Sequence, residues 1–190
     1  GYVVREKIYG DLNKDGEEDC ILLIKGTDAA NWVVNRFDEK VDRNRRGLVV
    51  LFKKKNAYQL AAENRDCFLS ENEDGGVYFP PELSLETKNG NLLIHYGHGR
   101  YGTWQYLFRY QEDQFKLIGY DSSSNYGPII NTQTSINFLT QRKLIRENTN
   151  EEAQGNGDEV FKETWSDLPQ QTLISLSKIK NFEALDLSQF

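Results

Sequence analysis

The chain has 190 residues, a formal net charge of −6 and 38% hydrophobic residues. This length fits a single domain, 1–190, with a core that needs no disulfide scaffold. The acidic charge argues against nucleic acid as a partner, because phosphate recognition requires a basic surface. No apolar run of about 18 residues is present, so we expect no membrane span. The sequence starts at Gly1 and contains no Met, which we interpret as a lost beginning, either a removed leader or a truncation.

Two strand-like runs flank an acidic stretch, GDLNKDGEEDC, at residues 10–20. It follows the pattern D-x-N-x-D-G-x-x-D, with Gly16 where a sharp turn is needed. Alternate oxygen donors around such a turn suit Ca²⁺, which takes about six to eight oxygen ligands, better than Mg²⁺. We expect a structural calcium site here, and the alternative is a metal-free turn in which Asp and Asn bond their own backbone. The predicted ligands are Asp11, Asn13, Asp15, Glu17 through its backbone carbonyl, and Asp19.

The middle of the chain mostly alternates polar and apolar residues with the period of a β-strand. The charged segment 35–46 interrupts this pattern and indicates a solvated loop or a short surface helix. Residues 47–64 indicate a hairpin that turns around 54–56. Asn89-Gly90 marks another hairpin, because this pair adopts positive φ at little cost.

An aromatic stripe marks the predicted strand TWQYLFRY, residues 103–110, which a polar turn joins to the next strand. Trp104, Tyr106, Phe108 and Tyr110 share one face of this strand. Period-two aromatic residues on a central strand are typical of a core, so we expect packing here rather than stacking against sugars or peptides.

The last third of the chain contains a polar segment, 148–159, whose only apolar residue is Ala153, and we expect a mobile loop there. Residues 172–176 indicate a last short strand, and 177–185 a candidate short C-terminal helix capped by Ser177. The sequence therefore predicts an all-β fold: a mainly antiparallel sandwich, barrel or curved sheet of about nine to eleven strands.

The two cysteines, Cys20 and Cys67, each follow an Asp and open an apolar run. A disulfide would form if these runs were neighbouring strands. Two buried thiols that act as small hydrophobic side chains are the alternative.

Both histidines fall in the glycine-rich stretch HYGHGRYG, residues 95–102. His95 and His98 could bind zinc, but a catalytic zinc site requires a third protein ligand, and none lies nearby in sequence. We expect a glycine-rich bend with polar side chains on its outer side. With Arg100 and Tyr101, the two histidines form a candidate recognition surface.

A second acidic stretch, residues 70–82, contains Glu71, Glu73 and Asp74. It lacks alternating donor spacing, so we expect a solvated loop rather than a second cation site. The sequence also lacks a nucleophile motif, a dinucleotide-binding motif and a phosphate loop. It therefore nominates no catalytic residue.

The acidic stretch at 10–20 resembles the calcium loops of the FG-GAP repeats in integrin-type propellers and their bacterial relatives. Those loops carry D-x-D/N-x-D-G-x-x-D between strands. The resemblance covers residues 3–27, and the pattern occurs once here, where a propeller requires several copies. The stretch is not an EF-hand, because Leu22 occupies position twelve and strands rather than helices flank it.

Longer stretches are similar to uncharacterised secreted or lipid-anchored proteins of gut bacteria. They include FDEKVDRNRRG, SENEDGGVYFPPELS and HYGHGRYGTWQYLFRYQ. This resemblance implies a periplasmic, cell-surface or secreted location, with a lipid anchor before residue 1 as one arrangement. It implies no activity.

The first hypothesis for function is therefore an exported, non-enzymatic binding or assembly module with a structural calcium loop and an unknown protein or glycan ligand. A second is a hydrolase-type enzyme whose site contains His95, His98, Arg100 and an acidic partner. A third is an intracellular inhibitor or immunity-type module, whose acidic charge would steer a basic partner.

Overall fold

The computed structural model describes residues 1–74, 79–185 and 187, and its regular structure is antiparallel β-sheet. A four-stranded sheet has the order β1-β2-β5-β6 and contains the runs on either side of the acidic stretch. Its strands are β1 (Tyr2–Gly10), β2 (Asp19–Gly26), β5 (Arg46–Lys54) and β6 (Ala57–Phe68). A separate two-stranded ribbon consists of β3 (Trp32–Val34) and β4 (Lys40–Asp42).

A seven-stranded sheet is a meander, in which every strand pairs with its neighbour along the chain. Tight turns produce this order: Asn89 and Gly90 have φ of 54° and 72°, and Glu112 and Asp113 have φ of 51° and 58°. Positive φ at both central residues matches the twist of the flanking strands. The strands are β7 (Glu82–Lys88), β8 (Asn91–Gly97), β9 (Gly102–Gln111), β10 (Gln114–Tyr126), β11 (Ile129–Asn137), β12 (Arg142–Asn148) and β13 (Phe161–Asp167).

The two large sheets pack face to face around one hydrophobic core. Across the interface the rings of Phe52 and Tyr110 lie edge to face, with centroids 4.7 Å apart. The sheets also meet at one pair of edges, where the hydroxyl of Thr87 on β7 donates to the carbonyl of Tyr9 on β1. The aromatic stripe on β9 lies on the core side, with Tyr106 and Phe108 buried. The prediction that this stripe belongs to the core is confirmed.

The C-terminal segment closes the end of the core without forming a long helix. The side chain of Phe182 is fully buried, and its carbonyl accepts a hydrogen bond from the hydroxyl of Tyr106. The side-chain amide of Asn64 donates to the carbonyls of Leu176 and Ile179. These bonds satisfy backbone groups of an irregular segment that would otherwise be buried without partners.

Several sequence expectations need correction, although the all-β, mainly antiparallel prediction is confirmed. Both large sheets are open, which excludes the barrel. The described residues form thirteen strands rather than nine to eleven. Two of the additional strands form the β3-β4 ribbon, and β4 lies within 35–46, where we expected a loop or helix.

The C-terminal predictions were wrong in both parts. In the expected helix 177–185, helical structure is limited to one 3₁₀ turn, Leu176–Lys178, and Ser177 lies inside that turn instead of capping it. The expected strand 172–176 is reduced to a single bridge between Lys116 and Ser175. Tertiary packing explains the difference, because Leu176, Ile179 and Phe182 all turn toward the core.

Cys20 and Cys67 are both buried and free, so they are not bridged. Cys20 lies on β2, paired with β1 and β5, whereas Cys67 lies near the end of β6. Burial raises the pKa of the Cys20 thiol and raises that of Cys67 to about 12. The two thiols therefore match the alternative of small hydrophobic side chains.

Within the described residues, no helix has the length and apolar character needed to cross a membrane. The prediction that 148–159 is mobile stays a prediction. This loop joins β12 to β13, and the Asn150 side-chain amide donates across it to the carbonyl of Asp158.

Candidate functional site

The acidic loop connects β1 to β2, and its polar side chains bind the backbone of the turn. Asp11 accepts hydrogen bonds from the backbone N–H groups of Asp15 and Gly16, at 3.1 and 3.0 Å. Asn13 Oδ1 accepts from the same Asp15 N–H, and Asn13 Nδ2 donates to Asp15 Oδ2. The loop thus brings together Asp11, Asn13 and Asp15, while Glu17 is exposed and donates its N–H to Asp15 Oδ1.

Asp19 has a different role from the other predicted ligands, because its carboxylate is completely buried. Its Oδ2 accepts from the N–H groups of Leu12 and Asn13, at 2.8 and 3.3 Å. Its Oδ1 accepts from the N–H of Lys53 at 2.9 Å. Asp19 therefore fixes the start of the loop and the end of β5 together.

Over the described residues, no group of three or more His, Cys, Asp or Glu side chains is placed to hold a metal ion. The predicted calcium ligands also include the side-chain amide of Asn13 and the backbone carbonyl of Glu17, which are not side-chain groups of these four residue types. The calcium site at Asp11, Asn13, Asp15, Glu17 and Asp19 therefore stays a prediction.

The two histidines make separate contacts rather than one site. His95 Nδ1 lies 3.4 Å from the hydroxyl of Ser84 on the neighbouring strand. His98 Nε2 lies 3.0 Å from the carbonyl of Phe79, and its ring contacts that of Tyr101 with centroids 5.1 Å apart. In the described part of the chain neither histidine has a hydrogen bond to a carboxylate, so the geometry assembles no general base with an orienting acid.

A cleft of about 350 Å³ lies beside this bend. His98, Arg100 and Tyr101 line it together with Phe79 and Pro80. His95 is not among the lining residues, because its ring lies on the outer face of the seven-stranded sheet. The structure therefore brings together three of the four residues of the candidate recognition surface.

A larger groove, of about 520 Å³, crosses the outer face of the seven-stranded sheet, on the side away from the core. Because Tyr106 and Phe108 enter the core, strand alternation turns Thr103 and Gln105 of β9 outward. The register places Gln105 opposite Asp121 of β10. We call this cavity the outer groove. Its lining residues are Thr103, Gln105, Asp121, Ser122, Ser123, Ile130, Gln133, Thr134, Ser135, Leu144 and Arg146.

Hydrogen bonds between neighbouring strands hold the polar side chains of the outer groove in place. Gln105 Nε2 donates to Asp121 Oδ2 at 3.0 Å, and Arg146 Nη1 donates to Gln133 Oε1 at 3.1 Å. The backbone N–H of Thr103 donates to the hydroxyl of Ser123. A ligand would therefore meet polar groups that are already ordered, which lowers the entropy cost of binding.

The far side of the outer groove carries aromatic rings and arginines on β12 and β13. The Arg142 guanidinium lies 5.0 Å from the ring centroid of Trp165, whose side chain is 55% exposed. The Arg146 guanidinium lies 4.8 Å from the ring centroid of Phe161, and Arg146 Nε is 3.1 Å from Glu163 Oε1. This side of the groove combines apolar surface with hydrogen-bond donors.

Sequence reasoning missed the outer groove. A signal exists in the two successive polar runs DSSSN at 121–125 and NTQTS at 131–135. They occupy adjacent antiparallel strands, and their side chains are polar on both faces of the sheet. Two such strands next to a strand that alternates polar and apolar residues indicate that this part of the sheet has a polar face exposed to solvent.

Sequence reasoning also missed an ion-pair cluster in the four-stranded sheet, at the end that lies away from the acidic loop. The buried ammonium of Lys25 lies 3.0 Å from Asp42 Oδ2 and 2.7 Å from Glu71 Oε1. Burial alone would raise the pKa of either carboxyl, but hydrogen bonds from Asn44 to Asp42 and from Lys25 to both lower the pKa of each. This cluster joins β2, the ribbon and the segment after β6.

Of the second acidic stretch, 70–82, the structure describes residues 70–74 and 79–82, and its three acidic residues Glu71, Glu73 and Asp74 are among them. Glu71 binds Lys25, Glu73 accepts from the hydroxyl of Ser70, and Asp74 pairs with Arg43. The three carboxylates thus go to three different partners instead of converging.

The chain matches no protein-family model, no curated protein and no solved structure. The resemblances to FG-GAP calcium loops and to exported proteins of gut bacteria therefore stay predictions.

Proposed function

We propose that this protein is an exported glycan-binding module whose ligand lies in the outer groove. The observation that carries the proposal is the composition of the groove lining. Its eleven residues include one acidic and one basic side chain, Asp121 and Arg146, so the formal charge is zero. The other polar members are hydroxyls and amides, which suit a neutral, hydroxyl-rich ligand better than a charged polymer.

The hydrogen-bonding capacity of the groove supports a polyol ligand. Sugar hydroxyls both donate and accept hydrogen bonds. A planar side-chain group, such as a carboxylate, an amide or a guanidinium, can bond to two neighbouring hydroxyls at once. The groove supplies a carboxylate at Asp121, amides at Gln105 and Gln133, and a guanidinium at Arg146. Trp165, opposite Leu144 in the register, adds exposed apolar surface beside these groups.

The location of the groove supports an extended ligand. It crosses β9, β10, β11 and β12, which lie about 4.8 Å apart. The floor is therefore roughly 15 Å wide, enough for a short oligosaccharide. Sheet strands rather than loops carry the floor, so the ligand-binding groups are held rigidly.

We also propose that the loop at Asp11, Asn13, Asp15, Glu17 and Asp19 binds Ca²⁺ in a structural role. The donor pattern and the turn at Gly16, which has φ of 87°, support the proposal. The export of the protein to the periplasm or cell surface rests on the resemblance to exported bacterial proteins, and it would place the loop where calcium is abundant.

An oligosaccharide array followed by isothermal titration calorimetry tests the glycan proposal. We expect one or more neutral oligosaccharides to bind, and Gln105→Ala and Asp121→Ala to weaken binding at least tenfold. Glu86→Ala is the matched control, because Glu86 lies on the outer face of the same sheet but outside the groove. An array without hits, or equal affinities for Asp121→Ala and Glu86→Ala, would overturn the proposal.

A further inference from the structure

The outer face of the four-stranded sheet, opposite the core, is apolar. Ile21, Leu23, Leu48 and Val50 enter the core, so their sequence neighbours point outward. The outward residues form a continuous surface that we call the apolar face. Its members are Val4, Tyr9, Leu22, Val49, Leu51 and Leu60.

Three members of the apolar face are substantially exposed, and the other three are half-buried. The side chains of Val4, Tyr9 and Leu60 are 49%, 46% and 54% exposed. They lie on β1 and β6, the outermost strands of this sheet, so the apolar surface spans its full width. The largest contiguous apolar patch on a protein surface is often an interaction site.

Lys7 and Glu63 lie in one row across this face, and Arg65 beside Glu63 and Lys53 beside Tyr58 are further charges on it. Lys7 of β1 lies opposite Leu22, Leu22 opposite Val49, and Val49 opposite Glu63 of β6. One row thus has a positive charge at one edge and a negative charge at the other. Both bonds from Arg65 to Glu63 end on Oε2, and the Glu63 side chain is 39% exposed.

A two-fold axis parallel to the strands would turn this row into a complementary surface. Rotation about such an axis places β1 of one copy over β6 of the other at the same height along the strands. Lys7 then faces Glu63 of the second copy, and the contact occurs twice by symmetry. A two-fold axis that crosses this row perpendicular to the strands would instead place Lys7 of one copy over Lys7 of the other. The two like charges would then repel each other.

We infer that the apolar face is the interface of a homodimer in which two four-stranded sheets pack face to face, with Lys7 of each copy beside Glu63 of the other. Four strands about 4.8 Å apart and rows that span roughly 20 Å give about 400 Å² per copy. The total of about 800 Å² lies below the range of specific, stable interfaces, which begins at about 1,200 Å². We therefore expect a weak dimer that forms only at high protein concentration. It uses a different surface from the outer groove and does not depend on the proposed function.

Sedimentation velocity from about 1 to 500 µM tests this inference. We expect a concentration-dependent shift from monomer to dimer, which Leu60→Asp abolishes. Lys7→Glu and Glu63→Lys should each weaken the dimer at least tenfold, and the double variant should recover to within about threefold of wild type. Lys88→Glu, on β7, is the charge-matched control and should dimerise like wild type.

Circular dichroism and the melting temperature show whether each variant is folded. A wild-type protein that stays monomeric at 500 µM would overturn the inference, as would a folded Leu60→Asp protein that still dimerises. A folded double variant without recovery would also contradict the proposed axis. Sedimentation with phosphatidylcholine–phosphatidylglycerol vesicles covers another occupant: binding by a monomeric wild type, lost in Leu60→Asp, would assign the face to lipid.

Discussion

The carboxylate of Asp19 accepts a hydrogen bond from the backbone N–H of Lys53, 34 positions later in the chain. The same carboxylate accepts from Leu12, whose side chain is part of the core. One buried side chain therefore joins the acidic loop to β5 and to the interior. Asp19 thus stabilises the fold from the interior, whereas Asp15 and Glu17 of the same loop are exposed to solvent.

Replacing Asp19 with Ala should destabilise the protein strongly, whether or not calcium is present. The change leaves the N–H groups of Leu12 and Lys53 buried without acceptors, and each such group costs about 1–3 kcal/mol. We expect the free energy of unfolding to fall by about 3 kcal/mol, measured by urea denaturation with EDTA. A loss below about 1 kcal/mol would contradict the structural role assigned to Asp19.

Calcium should raise the melting temperature of the wild-type protein, and Asp15→Ala should abolish that rise. Asp15 is exposed, and its carboxylate is close to Asn13 and the turn, so its removal takes away a proposed calcium ligand without disturbing the core. Differential scanning calorimetry at millimolar Ca²⁺, compared with EDTA, measures the shift. Glu18→Ala is the matched control because Glu18 is an exposed acid in the same loop but not at an alternating donor position.

No shift in the wild type after exhaustive chelation and calcium re-addition would contradict the calcium proposal. An equal loss of the shift in Glu18→Ala would also contradict it, because the effect would then reflect the overall charge of the loop.

The ion-pair cluster around Lys25 should make stability fall in acid. Hydrogen bonds and the Lys25 ammonium hold the pKa of Asp42 and Glu71 below their ordinary values of 3.8 and 4.5. The folded protein therefore binds fewer protons than the unfolded chain near pH 4, so this contribution is complete above about pH 5 and disappears as the pH falls further.

Lys25→Met should test this pH dependence through urea denaturation at several pH values. Removing one partner of a buried ion pair costs about 3 kcal/mol at pH 7, and the variant should lose less stability between pH 6 and 3.5 than wild type does. Lys116→Met is the control, because the Lys116 ammonium donates to the side chain of Gln114 and not to a carboxylate of this cluster. Parallel stability curves for wild type and Lys25→Met would contradict the assignment.

Local chemistry made most of the fold predictable from sequence. Alternation identified the strands with one buried face, such as β9, and the turn residues Asn89 and Gly90 placed the β7-β8 hairpin. The prediction failed where tertiary contacts decide the structure. Ile179 and Phe182 have the i, i+3 spacing of a helix face, yet packing into the core holds them in an irregular segment.

The polar runs 121–125 and 131–135 indicate a polar sheet face, but the residues that line the outer groove together are set by the register between strands. Gln105 and Asp121 are sixteen positions apart, and only the β9-β10 pairing makes them hydrogen-bond partners. Lys25 similarly lies in an apolar run, where sequence alone does not show that Asp42 and Glu71 neutralise it. By contrast, Asp11, Asn13 and Asp15 are close in sequence, and their contiguity in the loop was expected.

Amide chemical-shift mapping of the ¹⁵N-labelled protein, with the strongest oligosaccharide from the array, shows whether a glycan binds in the outer groove. We expect the shifted amides to concentrate at the outward positions of β9 to β12, around Gln105, Asp121, Gln133 and Arg146. Shifts confined to the bend around His98 and Tyr101, or to loops away from β9 to β12, would contradict it.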